Sequence, residues 1–109
     1  MEEIDVLGII ADLREEFPYP YKPRVRQVQE RLIAFGVNDA IGLASLIIGV
    51  WSYLFPRNLT PKCPHKLYFA GHACGSPLVS VIFDEVNKQL VMHCQNGHKT
   101  VQRSSRLYF

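Results

Sequence analysis

Three cysteines and four histidines fall between Cys63 and His98, and the chain holds no others. The stretch reads CPHKLYFAGHACGSPLVSVIFDEVNKQLVMHCQNGH. Thiolate and imidazole are the donors that zinc prefers, usually four of them in a tetrahedron. Within the stretch, LVSVIF and QLVMHC are short β-branched and apolar runs that read as strands, and Asp84 to Lys88 between them carries turn chemistry. Asn87 is the expected left-handed residue of that turn, which makes the pair a hairpin. Such a hairpin brings its two ends together, Cys74-Gly75 on one and Cys94-Gln95-Asn96-Gly97-His98 on the other. Residues twenty apart in sequence, Cys74 and Cys94, thereby come within reach of one ion.

Catalytic uses of the same residues are poorly supported. His72-Ala73-Cys74 has the start of a zinc deaminase pattern, but cysteine stands where the proton-shuttling glutamate is required. A cysteine nucleophile beside histidine needs a third group to orient the base, and the sequence identifies none. A site closed by four protein ligands leaves no position for substrate or activated water. The expectation is a protein that is not an enzyme, with a structural Zn2+ as its cofactor.

The layout resembles the zinc-ribbon class of β-hairpin zinc modules over roughly residues 63–101. Cys74-Gly75 before a valine-rich strand, the VIFDEVNKQLVMHC hairpin, and Cys94 through Gly97-His98 carry the resemblance. It implies a ribbon held by a structural metal. The sequence departs from the pattern at both knuckles, where Gly71 and Gly97 occupy the positions of the second cysteine of each pair. Histidine or Cys63 must then complete the site. One ligand set is Cys63, Cys74, Cys94 and His98; in the other, His72 replaces Cys63. The first is favoured because Pro61 and Pro64 flank Cys63 and would stiffen its approach. His65 and His93 are weaker candidates, since His93 alternates with Cys94 along a strand and faces the other side of the sheet.

The segments ahead of the cysteines read as helices. Val6, Ile10, Leu13 and Phe17 form one apolar face of a helix over residues 2–17, with Glu2, Glu3 and Asp5 in its first turn. Pro18 and Pro20 end it. Pro23 suits the first position of a second helix running to Phe35, its stripe being Val25, Val28, Leu32 and Phe35. Gly36 is a left-handed stop and Asn38 or Asp39 a cap for a third helix, Ala40–Phe55. That helix is apolar nearly all round, which fits a central core element, and it lacks the roughly twenty residues needed to span a bilayer. It carries no basic residue, which argues against a DNA-reading helix-turn-helix around Gly36. KLYFA and TVQRSSRLYF supply further strands, with Leu107, Tyr108 and Phe109 expected to dock on the core or a partner. The fold expected is therefore α+β: about three N-terminal helices packed on a three- to four-stranded antiparallel zinc ribbon. The helical half covers residues 1–61 and the ribbon half residues 62–109, as one unit sharing a core.

At 109 residues and 48% hydrophobic, the chain can bury only a modest core, the setting in which a metal staple is useful. An odd cysteine count argues against a closed disulfide framework, and the acidic opening is unlike a secretory leader, so a reducing cytoplasmic setting is expected. Net charge is +2, but from Phe17 onward eleven bases face four acids. That excess suits a polyanion, DNA or RNA. Lys62, Lys66, Lys99, Arg103 and Arg106 are the phosphate contacts this reading names, with Arg24 and Arg31 along one flank of the second helix. The alternative is an interaction module or small subunit, including a self-associating one, that uses the Ala40–Phe55 helix.

Overall fold

A computed structural model describes residues 3–57, 60–64 and 74–103. The order of elements is β1 (Glu3–Asp5), α1 (Val6–Glu16), α2 (Val25–Ala34), α3 (Ala40–Gly49), α4 (Trp51–Leu54), β2 (Leu78–Asp84), β3 (Gln89–Cys94) and β4 (Lys99–Arg103). The strands form one antiparallel sheet in the order β1-β2-β3-β4. This is the expected α+β arrangement of helices followed by a C-terminal sheet, with one addition at the N-terminus. Glu3–Asp5 is an edge strand on β2, pairing Ile4 with Phe83, rather than the first turn of a helix. The chain turns helical only where the Asp5 carboxylate accepts the Leu7 N–H at 3.1 Å and caps α1. The strand KLYFA, together with His65, Lys66, His72, Arg106 and the terminal Leu107–Phe109, lies outside the described residues.

Each helix is set by local chemistry. Val6, Ile10, Leu13 and Phe17 bury the α1 face as their spacing requires. The second helix begins two residues later than expected, with Arg24 at the cap and its N–H bonded to Gln27 Oε1 at 2.9 Å. Of its stripe Val28 and Leu32 are buried and Val25 packs half-buried against the core, whereas Phe35 lies at the surface under the Arg31 guanidinium, 5.7 Å from the ring centroid. At Gly36 (φ +87°) the Val37 N–H reaches back to Leu32 O and the Gly36 N–H to Ile33 O, a Schellman stop. Asp39 then caps α3 through the Gly42 N–H at 3.2 Å. The expected single helix to Phe55 breaks at Val50, so α3 and α4 are separate. Among the described residues no helix is long and apolar enough to cross a membrane.

One face of the sheet carries Val81, Phe83, Leu90 and Met92, all fully buried, and belongs to the same apolar cluster as α1, α2, α3 and α4. Each such side chain contributes on the order of 1.5–3 kcal/mol by leaving water. In the β2–β3 turn the left-handed residue is Lys88 (φ 54°) and not Asn87. The Asp84 carboxylate accepts from the Val86 and Asn87 N–H groups and the Asn87 amide, which keeps Asn87 in the turn proper. These bonds hold the Asp84 carboxyl below the usual carboxylate range. Lys88 Nζ reaches Asp39 Oδ2 at 2.7 Å and ties the hairpin tip to the cap of α3.

Candidate metal centre

Cys94 and His98 are brought together by purely local means. Gln95, Asn96 and Gly97 form a three-residue hairpin loop between β3 and β4. The Gly97 N–H bonds Cys94 O at 3.0 Å, Gly97 adopts φ +88°, and the Cys94 N–H bonds His98 O at 3.1 Å. This is a turn closed by a left-handed glycine, and it leaves the flanking residues opposite one another on one sheet face. Cys94 Sγ and His98 Nδ1 stand 3.5 Å apart.

Cys74 and Cys63 arrive from outside the hairpin. The Cys63 N–H bonds Ser76 O at 2.8 Å, the Gly75 N–H bonds Cys63 O at 3.1 Å, and the Leu78 N–H bonds Pro61 O at 3.0 Å. A bridge between Lys62 and Pro77 completes this short antiparallel pairing, which extends β2 backward past the cysteines. Gly75 takes φ +73°, where the chain bends beside Cys74. Two further bonds lock the corner, from the Lys62 N–H to Tyr53 O at the end of α4 and from the Gln95 N–H to Pro77 O.

The ligand atoms of Cys63, Cys74, Cys94 and His98 all lie within 4.8 Å of one another. In a tetrahedral zinc site with three thiolates and an imidazole, the donors sit roughly 3.5–3.8 Å apart. The Cys94–His98 edge already has that length, and the cluster as a whole needs about 1 Å of contraction at most to meet it. Cys63 and Cys94 are buried, whereas Cys74 and His98 are half-buried. The donor set, three thiols and one imidazole, could hold a metal ion.

Two residues that the sequence reading did not single out support Cys74. Ser76 Oγ is 3.3 Å from Cys74 Sγ, and Asn96 Nδ2 donates to Ser76 Oγ at 2.6 Å while lying 3.8 Å from the sulfur. The Ser76 hydroxyl and its backbone, aided by His98 and Asn96 against the opposing effect of desolvation, lower the Cys74 thiol from 9.0 to about 6. A thiol in that range is a thiolate at neutral pH, the form that ligates metal. The only signal for these partners in the sequence is that both are polar residues two positions from a cysteine.

The other named residues are scattered. His72, Lys66 and Arg106 lie outside the described residues. Lys62 and Lys99 directly adjoin the ligands Cys63 and His98, and Lys99 and Arg103 are exposed along the outer face of β4. Arg103 donates to Gln89 Oε1 at 3.2 Å. On α2, Gln27 is engaged by the Arg24 N–H and by Tyr21 Oη, and Arg31 by Phe35. Arg24 is exposed. His93 faces the side of the sheet opposite Cys94, as expected. In comparisons with family models, curated proteins and solved structures, the chain matches none.

Proposed function

We propose that the protein is a non-enzymatic module in which Cys63, Cys74, Cys94 and His98 hold one structural Zn2+, in the manner of a zinc ribbon, and that it grips nucleic acid. The gathering of these four ligand atoms within 4.8 Å carries the metal half of the reading. Bound there, zinc would join three separate segments, 61–64, 74–78 and 94–98, and stiffen the corner at which β2, β3 and β4 meet. The residues supply three thiolates and one imidazole, and Ser76 and Asn96 orient one thiolate. Four protein donors leave no coordination position for a substrate, which supports a structural role.

The nucleic-acid half rests on charge. Eleven bases against four acids after Phe17, with Lys62 and Lys99 beside the ligands and Arg103 exposed on β4, favour phosphate contacts without base readout. Metal analysis of purified protein tests the first half, with about one equivalent of zinc expected. A labelled single strand and a labelled duplex test the second at low salt. The expected result is binding that weakens steeply as salt is added. Failure of both probes to bind refutes the nucleic-acid reading and leaves the metal reading standing.

A further inference from the structure

Among the described residues the helices cover one face of the sheet, and the strand registers define what the other face presents. Alternate residues point outward, so the pairings Asp5–Ile82, Ile82–Val91 and Val91–Val101 place these four side chains in one row across β1, β2, β3 and β4. The pairings Glu3–Asp84, Asp84–Gln89 and Gln89–Arg103 make the next row. Ile82 and Val91 are only half-buried, and Val101 is 37% exposed. A shallow hollow of about 390 Å³ lies over Ile82 and Val91. Acids sit at the β1 side, aliphatic residues in the middle, and Arg103 with Lys99 at the β4 side.

We propose that this face binds a second copy of the same chain, face to face, about a two-fold axis parallel to the strands. That axis lays β1 of one copy over β4 of the other and β2 over β3. The row Glu3, Asp84, Gln89, Arg103 then meets itself reversed. Glu3 faces the second copy's Arg103, and Asp84 faces its Gln89. In the neighbouring row Ile82 meets Val91 and Asp5 meets Val101. A two-fold axis across the strands would instead set β1 on β1, acid against acid. Charge therefore selects one of the two face-to-face arrangements, and the interface is isologous as a closed dimer requires.

The face is small. Four strands at about 4.8 Å spacing and about five residues at ~3.3 Å give roughly 300 Å² per copy in projection. Two such faces fall well short of the ~1,600 Å² of a standard interface, so the dimer is weak and concentration-dependent. The proposal is independent of the metal and nucleic-acid readings, although a polyanion and a second copy would compete for Arg103.

Sedimentation of the full chain as purified from about 5 to 500 µM tests it, with reductant present to exclude disulfide-linked dimers. Reversible dimerisation is expected, with Val91→Lys weakening it at least about tenfold by placing a charge at the centre of the face. Glu3→Arg and Arg103→Glu should each weaken association, and the double swap should restore it, because the pair is then reversed in both copies. The double swap also guards against misreading a destabilised single variant. A chain that stays monomeric throughout overturns the proposal, as does dimerisation indifferent to Val91→Lys. A chain that dimerises only after residues 104–109 are deleted also overturns it, since its own tail would then be the occupant.

Discussion

If Cys63, Cys74, Cys94 and His98 hold zinc as proposed, removing it should weaken the protein without unfolding it. The four ligands lie at one end of the sheet, whereas Val81, Phe83, Leu90 and Met92 are fully buried under the helices in a continuous apolar cluster. Zinc present at a thousandfold excess over its dissociation constant adds about 4 kcal/mol to the folded state by mass action. For a chain of 109 residues, each kcal/mol moves the melting midpoint by about 4 °C. Chelation should therefore lower the midpoint by about 15 °C. The helical signal in far-ultraviolet circular dichroism at 25 °C should be retained. Hydrogen exchange should show where the loss falls, with protection disappearing at Cys63, Gly75, Cys94 and Gln95, whose N–H groups bond within the metal corner, and persisting along Val81–Phe83 and Leu90–Met92. Cobalt(II) in place of zinc gives a thiolate charge-transfer band that scales with the number of thiolates bound. Cys63→Ser should reduce that band by about one third and His72→Ala should leave it unchanged. An unchanged melting midpoint after chelation refutes the metal centre. A band left unchanged by Cys63→Ser refutes the ligand set, since no thiolate would then have been lost.

Three further outcomes follow from particular contacts. In the metal-free protein the Cys74 thiol ionises near pH 6, whereas in the unfolded chain it keeps its proton up to about 9. Between those values the unfolded state binds more protons, so stability should rise with pH through that window and be lost as pH falls to 6. Urea midpoints at pH 6, 7 and 8 check this, and Cys74→Ser should flatten the trend. Asp39→Ala removes both the cap on the Gly42 N–H and the pair with Lys88, for a loss of about 1–2 kcal/mol, and Asp39→Asn should recover most of it by keeping the cap. If Asn is as damaging as Ala in urea titrations, the ion pair and not the cap matters. Lys99→Gln and Arg103→Gln should each reduce the salt slope of nucleic-acid binding by about one, measured by anisotropy, with no change in melting. Slopes equal to that of the unsubstituted protein would remove these residues from the interface.

What could be read from the sequence divides by the range of the interactions that decide it. Cys94 and His98 were legible because a short loop ending in glycine positions them, and the turn needs nothing from elsewhere in the chain. The face of α1 and the stop at Gly36 were legible for the same reason, since each follows from residues within one or two helical turns. The strand at Glu3–Asp5 was not legible, because its partner β2 lies almost eighty residues away. Nothing in an acidic N-terminal turn distinguishes a helix start from an edge strand until Ile4 meets Phe83. The contest between Cys63 and His72 has the same origin. Both are compatible with zinc; His72 lies outside the described residues, and what brings Cys63 to the other three is the bridge between Lys62 and Pro77, with the Lys62 N–H on the Tyr53 carbonyl. Phe35 shows the converse failure, in which a local pattern placed it on the buried stripe and the helix end turned it toward Arg31. The surface that would carry function falls on the illegible side. The rows Glu3, Asp84, Gln89, Arg103 and Asp5, Ile82, Val91, Val101 exist only once three strand registers are known. Composition reports a basic excess, and only the register reveals that acids gather toward β1 and bases toward β4 on the sheet face that the described helices leave open.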